Sequence, residues 1–115
     1  MSIGFIGLGK MGAVMAPHLA ASGHHVTGYD ILAPAVMPAG VEFTQDLVAL
    51  AGCKTIITML PDGDVVSAVI GELLGAGCDG MVIDMSSSHP DISRAMATDF
   101  AARGQMFVDA PVSGG

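Results

Sequence analysis

Gly7, Gly9 and Gly12 stand in G-x-G-x-x-G spacing directly behind the apolar run Ile3-Gly4-Phe5-Ile6, and Asp30 closes the next apolar segment, His25 to Tyr29. With 16 glycines in 115 residues the spacing alone is weak, because chance matches are expected. Its setting gives it weight: a strand before it, a helix after it, a second strand, then an acid at that strand's carboxyl end. Each part has a physical task. Gly7 permits the tight turn out of the strand, Gly9 lets a diphosphate approach the backbone, and Gly12 lets helix and strand pack closely. The free N–H groups and positive dipole end of the helix receive the diphosphate. Asp30 is placed to accept from the ribose hydroxyls on the adenine side. The pattern therefore implies a dinucleotide site.

The elements that must hold these residues follow from the apolar pattern. Strands are expected at 3–6, 25–29, 41–43, 54–60, 81–85 and 106–109. Helices are expected at 10–21, with Met11, Val14, Met15 and Leu19 on one face and Gly23 past its end, then at 44–51, 62–74 and 90–103. Thr44 is the expected cap of the second helix, and Pro90 suits a first helical position. Pro17 lies inside the first helix, where it removes a hydrogen bond and a kink is expected. The connection from 31 to 40 carries Pro34 and Pro38, so its crossover helix is expected to be short or irregular.

Strands alternating with helices imply an α/β fold, a doubly wound parallel sheet of the Rossmann type covered on both faces. Right-handed crossovers give the strand order 3-2-1-4-5-6, with ligands beyond the carboxyl ends of the strands. The polar and backbone-accessible positions collect at that edge: 7–12, Asp30, Leu60-Pro61, Ser86-Ser87-Ser88 and Ser113-Gly114-Gly115.

Composition bounds the function. The chain is one domain by length, and its formal net charge of −7 with only four Lys and Arg argues against nucleic acid. An anionic cofactor must then be held by backbone amides rather than by a basic surface. Although 51% of the residues are hydrophobic, no apolar run approaches the ~20 residues of a membrane span. The N-terminus reads as a structural strand without a basic leader or cleavage site, so a cytoplasmic protein is expected. Cys53 and Cys78 fall in no metal or redox spacing and are expected to be reduced. His18, His24, His25 and His89 show no metal-ligand spacing, so no metal is expected. Asp62 and Asp64 open a helix, where acids favour the positive dipole end, and are read as capping. His89 is read as a surface residue at a helix start rather than an acid–base group. The methionines follow helix and strand faces as core filler.

The stretch from Gly4 to Ala16, Gly4-Phe5-Ile6-Gly7-Leu8-Gly9-Lys10-Met11-Gly12-Ala13-Val14-Met15-Ala16, resembles the opening signature of the β-hydroxyacid dehydrogenase superfamily. This superfamily includes 3-hydroxyisobutyrate dehydrogenases, tartronate semialdehyde reductases and 6-phosphogluconate dehydrogenases. Ile57-Thr58-Met59-Leu60-Pro61 resembles its loop after the fourth strand, and Asp109-Ala110-Pro111-Val112-Ser113-Gly114-Gly115 its substrate-binding segment. The resemblance covers the whole chain, residues 1–115, as a dinucleotide-binding domain. It implies that Gly7, Leu8, Gly9, Lys10, Met11 and Gly12 line the diphosphate of NAD. It further implies that Leu60 and Pro61 contact the cofactor near its nicotinamide, that Ser87 stands at the nicotinamide ribose, and that Ser113, Gly114 and Gly115 hold the carboxylate of a small hydroxyacid. The chain departs from the pattern at Ser88-His89, where an Ile-Asp pair is common, and at Pro17-His18.

In that family an all-helical domain supplies a catalytic Lys, and no counterpart is legible here. Lys10 lies in the diphosphate loop and Lys54 begins the fourth strand at the sheet's amino edge. Two functions follow: the NAD-binding domain of a 3-hydroxyacid dehydrogenase, or a non-catalytic dinucleotide-binding module. Asp30, with no Lys or Arg between Lys10 and Lys54, sets a preference for NAD over its 2′-phosphorylated form. A homo-oligomer, or association with a complementing helical domain, is expected to cover the apolar surface near the sixth strand.

Overall fold

The structure is a computed structural model that describes residues 2–31, 33–34, 38–86 and 90–110, apart from the side chains at positions 10 and 90. Six strands form one parallel sheet: β1 (Ser2–Ile6), β2 (His25–Tyr29), β3 (Val41–Thr44), β4 (Thr55–Thr58), β5 (Met81–Asp84) and β6 (Phe107–Asp109). Their order is β3-β2-β1-β4-β5-β6, as the alternation of strands and helices predicts. Three helices pack on it: α1 (Lys10–Ala21), α2 (Gly63–Gly75) and α3 (Pro90–Ala102).

Successive side chains of a strand point to opposite faces, and the core divides accordingly. Ile3 and Phe5 of β1 join Val26, Ile57 and Ala16 of α1 in one cluster. Ile6 joins Ile56, Val82, the α2 residues Val66, Ile70 and Leu73, and Phe100 of α3 in the other. Both central neighbours of the sheet are thus buried on both faces, which is why β4 reads as an unbroken apolar or threonine run. Phe100 and Phe107 meet at a centroid distance of 5.4 Å and tie α3 to the edge strand.

The helix expected over 44–51 is instead a short 3-10 turn, Leu47–Leu50. Thr44 pairs with Tyr29 as the last residue of β3, so it cannot also open a helix. Its hydroxyl oxygen accepts from the Asp46 N–H, and Asp46 caps the turn by accepting from the Val48 N–H at 3.2 Å. Leu47 and Leu50, three apart, both reach the core, which the eclipsed i, i+3 spacing of a 3-10 turn allows. Elsewhere the boundaries agree within two residues. Helix α1 runs on through Pro17, and Asp62 caps α2 as read from the sequence, accepting from the Val65 N–H at 3.0 Å. No helix among the described residues is long and apolar enough to cross a membrane.

Register decides where the functional residues gather. Ile6 lies level with Tyr29 and with Thr58, and Thr58 lies level with Asp84, which lies level with Asp109. The chain therefore leaves β1, β2, β4, β5 and β6 along one edge. Backbone bonds carry the sheet one step further, from the Gly7 N–H to the Tyr29 carbonyl and from the Met59 N–H to the Ile6 carbonyl. Lys54 sits at the opposite edge, its N–H bonded to the Ser2 hydroxyl oxygen and its carbonyl to the Met81 N–H.

Candidate functional site

Beyond the carboxyl ends of β1, β2 and β4 lies a cavity of about 670 Å³, within the usual range for small-molecule sites. Gly7, Gly9, Met11 and Gly12 form one wall, Tyr29, Asp30 and Ile31 a second, and Met59, Leu60 and Pro61 a third. Val65 and Val69, one turn apart on α2, complete the apolar lining.

The glycine wall is built by close approach. Gly7 has φ +104°, open to glycine but strained for other residues, and a Cβ there would run into the Met59 carbonyl oxygen. A Cβ on Gly12 would run into the Gly7 carbonyl oxygen. Both positions draw α1 and the β4 loop against the end of β1. Gly9 differs, since a Cβ there meets nothing within 4 Å. Its open side belongs to the cavity.

Gly9 is also the N-cap of α1 and has no side chain with which to cap it. The first-turn amides of a 12-residue helix therefore have no side-chain cap, no acidic residue stands in that turn, and the helix dipole adds a positive end. At α2 the equivalent position is closed by the Asp62 carboxylate. Of these two helix starts at the sheet's ligand edge, α1 is the one shaped to receive an anion.

Asp30 is tied into this wall. Its Oδ2 accepts from the Leu8 N–H at 2.8 Å, joining the end of β2 to the middle of the glycine turn. Leu8 itself turns away from the cavity, 6% exposed, and packs in the α1-side core. The sequence placed Leu8 among residues lining a diphosphate. The structure gives it a backbone role, holding Asp30 while its side chain anchors the turn beneath.

Leu60 and Pro61 line the cavity. The Lys10 side chain, Ser87, His89, Ser113, Gly114 and Gly115 lie outside the described residues. Sequence reasoning missed Tyr29, Ile31, Val65 and Val69. The two valines carried a usable signal, an i, i+4 pair in the first turns of a helix that starts at the ligand edge. Among the described residues no Lys or Arg lines the cavity, and no group of three or more His, Cys, Asp or Glu is placed to hold a metal.

Comparison with known proteins agrees with this geometry. The family described as the NAD binding domain of 6-phosphogluconate dehydrogenase matches residues 2–115. The chain belongs to this family, within the β-hydroxyacid dehydrogenase superfamily. It is 36% identical to the mitochondrial 3-hydroxyisobutyrate dehydrogenase of Drosophila melanogaster, over 99% of this chain and 37% of that protein. It is 37% identical to the 3-sulfolactaldehyde reductase of Escherichia coli, over 96% of this chain and 40% of that one. A solved structure of the Mycobacterium tuberculosis 3-hydroxyisobutyrate dehydrogenase with L-serine superposes with a TM-score of 0.84 at 36% identity, covering 99% of this chain and 41% of that chain. The chain thus spans about two fifths of the length of these relatives, all of it on the NAD-binding domain.

Proposed function

We propose that this domain holds NAD for a dehydrogenase that moves hydride between the cofactor and a small 3-hydroxyacid or its semialdehyde. The observation that carries the reading is the glycine wall. It has an open face at Gly9, an uncapped helix start behind it, and a carboxylate, Asp30, fixed at its far side. Gly7, Gly9, Met11 and Gly12 would hold the diphosphate, with Leu8 supporting them from below and Lys10 in the same turn. Asp30 would accept from the ribose hydroxyls, and the Val65–Val69 face offers apolar surface to a base. Leu60, Pro61 and Ser87 would border the nicotinamide half. Ser113, Gly114 and Gly115 would present hydroxyl and backbone N–H donors to a substrate carboxylate. When bound, NAD supplies the hydride acceptor.

Asp30 also favours NAD over its 2′-phosphorylated form, because its carboxylate faces that phosphate and no described cation lines the cavity to offset it. Calorimetric titration with both cofactors tests the reading. Tighter binding of NAD is expected, and equal or tighter binding of the phosphorylated form would remove Asp30 from the ribose.

Two further parts belong to the same proposal. Met106 and Val108 of the β6 edge are 61% and 37% exposed, and Met11 and Val14 on α1 are also open, which supports a homo-oligomer or a covering helical domain. Sedimentation showing a clean monomer at high micromolar concentration would count against self-association. Cys53 and Cys78 are buried free thiols, in keeping with the reducing cytoplasm. A second reading, a dinucleotide-binding module without turnover, draws on the placement of Lys54 at the edge remote from the cavity.

A further inference from the structure

A buried polar chain runs behind the cavity, in residues that line neither the glycine wall nor the α2 face. Asp84 ends β5 level with Thr58 and is 1% exposed. Its Oδ1 accepts twice, from the Thr58 hydroxyl at 2.9 Å and from the Ser86 N–H at 3.0 Å. Ser86, 2% exposed, in turn presents its hydroxyl oxygen to the Leu60 N–H at 2.7 Å.

A carboxylate withdrawn from water is costly unless hydrogen bonds replace its hydration. Here hydrogen bonds run along the ends of two strands, through Asp84 and Ser86, and reach one loop peptide. That peptide has few other freedoms. Pro61 has a fixed φ and confines the residue before it to extended conformations, so the orientation of the Leu60 N–H largely sets where Leu60 and Pro61 lie. Both side chains line the cavity, and the preceding Met59 carbonyl abuts Gly7. The loop is thus held between the glycine turn on one side and the Ser86 hydroxyl on the other.

We propose that Ser86 and Asp84 are positioning residues of the dinucleotide site: Asp84 orients Ser86, and Ser86 fixes the Leu60–Pro61 wall through the Leu60 amide. The proposal rests on the cofactor reading above and adds to it a requirement for two side chains that do not line the cavity.

The test is calorimetric titration with NAD, well below each variant's melting temperature, together with amide hydrogen exchange at Leu60 in the ligand-free chain. Ser86→Ala is expected to weaken NAD binding about 5- to 10-fold, the scale of one well-placed hydrogen bond, and to speed Leu60 exchange. Ser86→Thr keeps the oxygen and restores both readouts to within about 2-fold of the unaltered chain. Asp84→Ala removes the acceptor for Thr58 and Ser86 and is expected to weaken NAD binding by a similar factor. Asp84→Asn, which keeps an acceptor, restores it to within about 3-fold of the unaltered chain. An Asp84→Ala variant that binds NAD normally removes Asp84 from the proposal. Should the Ser86→Ala variant not fold, Ser86→Cys, of similar size and a weaker acceptor, reads the same comparison. An alanine variant that melts earlier but binds NAD like the unaltered chain makes Ser86 merely structural and overturns the proposal. So does a threonine variant no better than alanine. An unaltered chain that fails to bind NAD removes the cofactor reading itself, which separates the two failures.

Discussion

The Asp30 carboxylate and the Leu8 N–H, 22 residues apart in sequence, meet at 2.8 Å where β2 and the glycine turn converge. This gives Asp30 a structural task that precedes any cofactor. One oxygen holds the glycine turn that borders the cavity, and Asp30 itself stands in the cavity wall. Under the proposed reading, loop geometry and ribose recognition would be coupled through one side chain.

That coupling separates two substitutions. Asp30→Ala removes both tasks and is expected to weaken NAD binding about 10- to 100-fold, the scale of a hydrogen bond to a charged group. Asp30→Asn keeps an oxygen for the Leu8 N–H and removes only the charge. It should lose less NAD affinity than the alanine variant and should narrow the gap between NAD and its 2′-phosphorylated form. Titration of both variants with both cofactors checks this. Equal losses for Asn and Ala would mean that the Leu8 bond contributes nothing to the site.

The glycines offer a second separation, between folding and binding. Gly12→Ala drives a methyl into the Gly7 carbonyl oxygen, and relief requires α1 to move off the end of β1. Overpacking of this kind costs about 1–3 kcal/mol, so thermal unfolding should come several degrees earlier. Gly9→Ala meets no protein atom within 4 Å, so the melting temperature should stay close to that of the unaltered chain. Its methyl instead fills the space a diphosphate needs, and NAD binding should fall at least about 10-fold, consistent with displacement of helix-terminus contacts. Calorimetry beside a melting curve reads both. A Gly9 variant that binds NAD normally would place the diphosphate elsewhere.

Much of this was legible because local chemistry and global topology agree. The β1 run, the glycine spacing and Asp62 ahead of α2 each dictate one structure from neighbouring residues. The second helix failed because Thr44 and Asp46 are both cap types, and only the pairing of Thr44 with Tyr29 across the sheet decides between them. The second task of Asp30 was hidden for a related reason, since its partner is a backbone amide that no side-chain pattern reports. Val65 and Val69 went unnoticed because an i, i+4 apolar pair means burial in most helices. Their place at the mouth of a cavity depends on where α2 begins relative to β4. Asp84 was read as part of the fifth strand and Ser86 as one of the polar positions at the ligand edge, and only register brings them to Thr58 and Leu60.

The buried Cys53 thiol gives a pH dependence with a defined sign. Burial, and after it the neighbouring Cys78, hold the Cys53 thiol above its ordinary pKa. The folded chain keeps that proton more tightly than the unfolded chain, so the contribution is complete below the unfolded thiol range. It is lost as pH rises through the folded value. Denaturant midpoints should hold up to about pH 8 and decline above it, near the usual thiol range. Cys53→Ala should flatten the decline while lowering the plateau through lost packing. An identical slope in that variant would assign the alkaline loss to other groups.

The last expectation concerns chemistry rather than binding. Oxidising a hydroxyacid requires the hydroxyl proton to leave as hydride passes to NAD, and a positioned acid–base group contributes about 100- to 10,000-fold to such a step. Among the described residues lining the cavity, the titratable side chains are Tyr29 and Asp30, at the end of β2. Lys54 lies at the amino edge of the sheet, and Lys10 belongs to the glycine turn. The 115-residue chain should therefore bind NAD and yet produce NADH near background with 3-hydroxyisobutyrate, glycerate or serine. Supplying a helical domain from a relative in trans should raise the rate by bringing an acid–base group and the rest of the substrate wall to the same edge. Absorbance at the NADH band, followed with saturating NAD, decides the matter. Ordinary enzyme rates from this chain alone would show that it carries its own proton acceptor, and His89, beside the ligand edge in sequence, would be the first residue to replace.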